Sequence, residues 1–156
     1  MSVPSYLYQI NISSGGVPKL PVESAHIVFS GIEGDRHRNR VLHGGPDRAL
    51  CVYAWEKVAA LQREGHGITP GAAGENLTIA GLEWDCVRPG DQLNIGEEVV
   101  IEMTSYCVPC RQNARWFTDG QYRRISQEHH PGWSRLYARV VVEGWVRQGD
   151  PVRVVG

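Results

Sequence analysis

The sequence predicts a mostly β fold with a few short helices, wound into a closed or half-closed β-barrel. Short runs rich in Val, Ile and Tyr recur at close intervals, bounded by Gly, Pro and Asp, as strands usually are. Helical spacing is confined to three stretches. Strands this close together with so few helices favour a barrel over a doubly wound sheet. With no internal repeat, low-complexity tract or linker, residues 1–156 read as a single domain.

The elements follow in order. Tyr6-Leu7-Tyr8-Gln9-Ile10-Asn11-Ile12 is the first strand and His26-Ile27-Val28-Phe29 the second. Ala49-Leu50-Cys51-Val52-Tyr53 is an apolar run expected to be a buried strand. Residues 55–64 carry Trp55, Val58, Ala59 and Leu61 at helical spacing. Strands are predicted over 76–79, 92–95 and 99–104, short helices over 111–117 and 122–129, and closing strands over 136–142 and 151–155. The glycines serve the tight turns, where positive φ or close backbone approach is needed.

Composition excludes several functions. The 156 residues carry 16 Lys+Arg against 17 Asp+Glu, a net charge of −1, whereas general nucleic-acid binders show a basic excess. No stretch approaches eighteen consecutive apolar residues, so no membrane-spanning helix is expected. Residues 1–12 lack a basic n-region followed by an apolar h-region, so a cytoplasmic location is expected. With 42% hydrophobic and 21% charged residues the chain reads as a folded globule. Lys19 and Lys57 are the only lysines; the remaining basic residues are arginines.

In a reducing compartment, the four cysteines read as core thiols, metal ligands or reactive groups before disulfides. Cys51 reads as a small core hydrophobe, and Cys86 lies in a loop-like stretch. Cys107-Val108-Pro109-Cys110 has three readings besides a plain structural pair. A zinc site would need two more ligands, with His129 and His130 the nearby candidates. A thioredoxin-like redox pair fits the helix-like run that follows, but not the surrounding chain. The third reading is a functional thiolate at Cys110, with Cys107 as neighbour or resolving thiol. A helix start beside Arg111 and Arg115 would favour that thiolate by dipole and charge.

The polar run of residues 33–48 ends in His43-Gly44-Gly45-Pro46-Asp47-Arg48 and leads directly into the buried strand at Ala49. A solvated loop is its ordinary fate. Polar groups at a strand entrance are also well placed to line a barrel mouth.

Several blocks together resemble the MOSC-domain family, named after the C-terminal domain of molybdenum cofactor sulfurases. The run from His43 to Leu50 looks like the family's glycine motif. Gly74-Glu75-Asn76-Leu77-Thr78, Gly81-Leu82 and Gly90-Asp91 resemble its second block, and Pro109-Cys110 matches its characteristic cysteine. Gly132-Trp133, Tyr137-Ala138-Arg139-Val140, Gly144 and Gly149-Asp150 look like its closing strands. The blocks stand in family order along nearly the whole chain.

The resemblance implies a MOSC-like barrel whose cleft can hold the pyranopterin molybdenum cofactor. It also implies that Cys110 is the catalytic cysteine and the thiolate ligand of molybdenum, in a small-molecule oxidoreductase acting on N-hydroxylated substrates. A soft thiolate suits a transition metal, and the cofactor's phosphate suits arginine forks. Arg48 and Arg111, with Ser13 and Ser14, are the candidates for the phosphate. His43, Asp47, Glu75 and Asn76 are the candidates for the pterin, and Gly44 and Gly45 for close backbone approach. Each has an ordinary alternative: Glu75 and Asn76 can stitch their own turn, and Asp47 and Arg48 can pair together. The sequence carries no recognisable flavin or iron–sulfur motif, so a reductase partner is expected to supply electrons. Neither the aminotransferase-like, pyridoxal phosphate-binding domain of full-length sulfurases nor the C-terminal helical extension of bacterial relatives is recognisable in these 156 residues, so a stand-alone module is expected. The alternatives are a sulfur carrier with a Cys110 persulfide, served by a cysteine desulfurase, and a non-enzymatic cofactor-binding or delivery module.

Overall fold

The computed structural model describes residues 4–13, 17–35 and 45–155. Eleven strands appear among the described residues: β1 (Tyr6–Ile12), β2 (Leu20–Val22), β3 (Ser24–Val28), β4 (Gly31–Ile32), β5 (Leu50–Ala54), β6 (Leu77–Ala80), β7 (Gln92–Ile95), β8 (Val99–Tyr106), β9 (Leu136–Val142), β10 (Gly144–Arg147) and β11 (Val152–Val155). One α-helix, α1 (Trp55–Arg63), crosses from β5 to its parallel neighbour β6 and buries Val58 and Leu61. Among the described residues no helix is long and apolar enough to cross a membrane.

Eight strands form one sheet in the order β11-β7-β8-β9-β5-β6-β1-β2, and β10-β3-β4 form a second. The large sheet curls until its ends meet without a full ladder. Leu7 N–H donates to Asp150 O at 2.8 Å, Gly149 N–H to Leu7 O at 2.7 Å, and Val152 N–H to Ser5 O at 3.0 Å. The other half of the β1 edge is taken by β2, paired over Ile10–Ile12. The barrel is therefore half-closed, within the expected class. Its core holds Leu7, Ile10, Leu50, Val52, Leu77, Ile79, Leu93, Ile101 and Leu136, each at most 1% exposed. Full burial of such a side chain contributes about 1.5–3 kcal/mol.

Three strands lie outside the predicted set. β2 has Pro21 at its centre, tolerated because β2 is an edge strand. β4 and β10 are short and held by pairing with β3. The helices expected over 111–117 and 122–129 are 3-10 turns, Arg111–Trp116 and Tyr122–Ile125. Segments this short do not repay the cost of nucleating an α-helix. Beyond Ile125, Ser126 Oγ and His129 Nδ1 meet at 3.1 Å, a local contact that competes with a helical continuation.

One buried polar seam positions the end of the sheet carrying the candidate residues. Register aligns Asn11 of β1, Asn76 before β6, Cys51 of β5, Tyr137 of β9 and Ser105 of β8 in one lateral row. Asn11 N–H donates to Asn76 O, and Asn76 N–H to Cys51 O, both at 2.7 Å. The Asn76 side chain doubles this link: Oδ1 accepts from Cys51 N–H at 3.0 Å, and Nδ2 donates to Asp35 Oδ2 at 2.8 Å and Asn11 O at 3.3 Å. Asp35 also accepts from Lys19 Nζ at 2.7 Å and from Ser13 N–H at 2.8 Å. Asn11 Nδ2 donates to Glu75 O and to Thr78 Oγ1, each at 3.1 Å. Glu75 is 1% exposed; Thr78 Oγ1 donates to its Oε2 at 3.3 Å, while Oε1 has no partner among the described residues. Burial raises the Glu75 pKa, against a smaller lowering by backbone N–H groups at Gly71 and Glu75.

Two stability predictions follow from this seam. Gly71 has φ of +85°, and a Cβ there would stand 2.5 Å from Lys19 O and 2.9 Å from Asn11 Cγ. Gly71→Ala is therefore expected to destabilise the fold, by about 1–3 kcal/mol for the dihedral alone, and so to lower Tm. Gly65→Ala, with φ of +97° in open space, should cost less. The second concerns pH. The folded protein holds the Glu75 proton above the ordinary carboxylate value of 4.5, so the folded state binds more protons there than the unfolded chain. The Glu75 contribution is then fully present below that value and falls as pH rises through the raised pKa. Glu75→Gln, which cannot ionise, should raise Tm at pH 8 and change it least at pH 4; thermal melts across that range check this.

Candidate functional site

The seam's central residues carry a second structure on the face away from the main core. Cys51, Cys107 and Tyr137 form a buried cluster of their own. β5 and β9 bring Cys51 and Tyr137 face to face in register, and the chain leaving β8 sets Cys107 beside them. Cys51 Sγ and Cys107 Sγ stand 3.4 Å apart. Cys107 is held from its backbone: its N–H donates to Arg135 O at 3.0 Å, and Ser134 Oγ donates to its carbonyl at 3.1 Å.

Arg135 supplies the charge. It is 6% exposed and its Nη1 donates to Ala73 O at 2.6 Å, while Nε has no partner among the described residues. Burial works against its charge, but Cys107, Cys51, Tyr137 and Glu75 around it hold it protonated, with its pKa raised. The hydrogen bond from Cys107 lowers the Cys51 pKa; burial opposes this and Arg135 assists it. Burial, and then Cys51 itself, pushes the Cys107 thiol well up. The two thiols are thus shifted in opposite directions. Burial also raises the Tyr137 hydroxyl, which hydrogen-bonds with Cys107.

Cys110 follows three residues after Cys107, a reach of roughly 10 Å along the chain. It is partly buried and caps the 3-10 turn Arg111–Trp116 without a side-chain hydrogen bond. That turn corrects the expected helix start: six residues of 3-10 geometry align too few peptide dipoles to favour a thiolate as a full helix would. Asn113 N–H donates to Cys110 O at 3.0 Å, and Asn113 is itself buried. Cys86 lies exposed on the 3-10 turn Trp84–Cys86.

The structure brings together some of the sequence-predicted residues. Gly45, with φ of +93°, turns the chain into Pro46–Arg48, and Arg48 lies 5.1 Å over the Tyr137 ring. Thr104 Oγ1 donates to Asp47 O, tying that turn to β8. Glu75 and Asn76 sit behind the thiol pair in the seam, and Ser13 meets Asp35 through its N–H. Asn76 commits both ends of its amide to this stitching. Arg111 is exposed on the turn after Cys110. Ser14, His43 and Gly44 lie outside the described residues. No group of three His, Cys, Asp or Glu side chains gathers to hold a metal among the described residues, and His129 Nδ1 is engaged with Ser126. A cavity of about 470 Å³ opens on the flank between Lys57, Trp84, Tyr106 and Trp133, and none of the predicted residues lines it.

Sequence reasoning missed Lys19, Asp35, Arg135 and Tyr137 as parts of this site. Lys19 was at least singular, as one of two lysines. Arg135 and Tyr137 flank a strand start within the closing block, and nothing in their local sequence marks them as neighbours of Cys51.

Comparison with known proteins places this architecture. The MOSC domain signature matches residues 39–153. YflK of Bacillus subtilis, an uncharacterised protein, is 33% identical over 141 residues, which are 86% of this chain and 60% of YflK. YiiM of Escherichia coli is 33% identical over 130 residues, 80% of this chain and 56% of that protein. A protein of Gibberella moniliformis named a reductase is 26% identical over 133 residues, 81% of this chain and 23% of its own length. The crystal structure of YiiM from Geobacillus stearothermophilus superimposes with a TM-score of 0.73 at 26% identity, covering 98% of this chain and 76% of that one. The chain thus spans little more than half the length of its curated bacterial relatives. It belongs to the MOSC domain family.

Proposed function

We propose that this MOSC protein binds the pyranopterin molybdenum cofactor, with Cys110 as the thiolate ligand, and reduces N-hydroxylated small molecules with electrons from a partner reductase. One observation carries the reading. Among the described residues four buried polar atoms have no partner: Glu75 Oε1 and Arg135 Nε belong to residues next to the thiol pair's hydrogen-bonded neighbours, and Asn113 Oδ1 and Trp116 Nε1 lie in the turn that Cys110 begins. Buried polar groups are rarely left unpaired, and a bound group rich in donors and acceptors is a common reason for such a concentration. The donor set fits the cofactor: a soft thiol for the metal, with Arg48, Arg111 and Arg135 to choose from for the phosphate.

When bound, the cofactor supplies a two-electron redox centre. The chain's own residues do the rest. Cys110 would hold the metal as its thiolate, the form in which thiols ligate metals. Arg48 lies stacked over Tyr137 at the mouth, a position for gripping a phosphate. Asn76, Asp35 and Lys19 keep the floor rigid, which holds the thiol and the guanidinium groups in fixed relation. The length of the fungal reductase, of which this chain matches 23%, supports an electron supply from a further domain or partner.

Protein made in a cofactor-competent host is expected to carry molybdenum and pterin in near-stoichiometric amounts. It should reduce an aryl amidoxime when given a chemical reductant. Cys110→Ser is expected to lower that activity at least a hundredfold while keeping the wild-type Tm. Elemental analysis and amine-product assay check both, and full activity in Cys110→Ser would contradict the reading.

A further inference from the structure

Cys51 and Cys107 belong neither to the main core nor to the cofactor chemistry assigned to Cys110. They lie 56 residues apart in sequence, yet their sulfurs meet at 3.4 Å. Cys51 is 5% exposed and Cys107 2%. Cys51 is fixed on β5, and Cys107 stands one residue beyond β8, its N–H on Arg135 O and its carbonyl on Ser134 Oγ. Arg135, whose backbone carbonyl accepts from Cys107 N–H, acts on both sulfurs electrostatically and has no partner for its Nε among the described residues; the Tyr137 hydroxyl hydrogen-bonds with Cys107. Closing a bond means shortening 3.4 Å to about 2.05 Å, which side-chain rotation with a small shift of the Cys107 loop can supply.

We propose that Cys51 and Cys107 are a redox-active thiol pair that closes to a disulfide on reaction with a hydroperoxide, a site separate from Cys110. The Cys51 thiolate attacks one peroxide oxygen; the O–O bond breaks and the second oxygen leaves as hydroxide, taken to water by a proton from solvent. Cys51 is then a sulfenic acid. The Cys107 sulfur attacks the Cys51 sulfur, the S–O bond breaks, and the hydroxide leaves as water with the Cys107 proton. One thiolate, one thiol, one hydrogen peroxide and one proton give one disulfide and two waters. The two sulfurs lose two electrons and the peroxide gains them. Arg135 favours the first step by stabilising the thiolate that starts it. Only Val108 and Pro109 separate Cys107 from Cys110, so closure also draws on the segment holding the candidate ligand.

The full chain is treated with hydrogen peroxide, blocked with iodoacetamide and mapped by mass spectrometry without reduction. The expected result is a peptide pair linked through Cys51 and Cys107, with loss of two hydrogens and of two of the four alkylatable thiols, reversed by dithiothreitol. The same link forms in Cys110→Ser, and Cys107 stays unlinked in Cys51→Ser. Should Cys51→Ser fail to fold, the wild-type and Cys110→Ser maps decide alone. A Cys107–Cys110 link in place of the Cys51–Cys107 one, or no linked peptide at all, overturns the proposal. None of these outcomes depends on whether Cys110 binds molybdenum.

Discussion

Where a parallel strand begins beside antiparallel neighbours, the adjoining strand is left with a backbone donor that the ladder does not reach. In this protein the donor is the Cys51 amide, and the Asn76 side chain accepts it at 3.0 Å while the Asn76 backbone donates to Cys51 O. Asn76 thereby stands in for one residue of the β6 ladder. Its remaining amide hydrogens reach Asn11 and Asp35, which binds Lys19 and Ser13. Three strand ends and two loop entrances are fixed by one side chain. An unsatisfied buried donor costs about 1–3 kcal/mol, so every position in the lateral row depends on this amide.

The row has a chemical consequence. Aligning Asn76, Cys51 and Tyr137 leaves Cys51 on the face opposite the main core, where Arg135 and Cys107 close over it. A buried guanidinium carries an effective desolvation penalty of several kcal/mol, which compensating charge and hydrogen bonds must offset. Here the Ala73 carbonyl and the acidic sulfur of Cys51 supply them. The protein thus keeps positive charge and sulfur together at one end of the large sheet.

Much of the fold is legible because its strands announce themselves. β1 and β9 carry enough β-branched and aromatic side chains to show their bounds locally, and β7 shows its own by alternating Gln92 and Asn94 with Leu93 and Ile95. β2, β4 and β10 do not, since they are short and owe their conformation to partners distant in sequence. The 3-10 turns read as helices because helical spacing persists over one or two turns whichever helix type forms. For the site, the glycine turn, the Glu75-Asn76 pair and Cys110 stand out as motifs. The Cys51–Cys107 contact does not, because it depends on the register of β5 on β9 and of β9 on β8. Cys51 is buried as its apolar surroundings suggest, but it is also half of a thiol pair.

The claim that Cys110 is the metal ligand is tested most directly by X-ray absorption at the molybdenum edge, on wild-type protein and Cys110→Ser purified from the same cofactor-competent host. The account predicts molybdenum in the wild type, with one sulfur neighbour fewer in the variant. Identical sulfur coordination in the two proteins, or no molybdenum in the wild type, would contradict it.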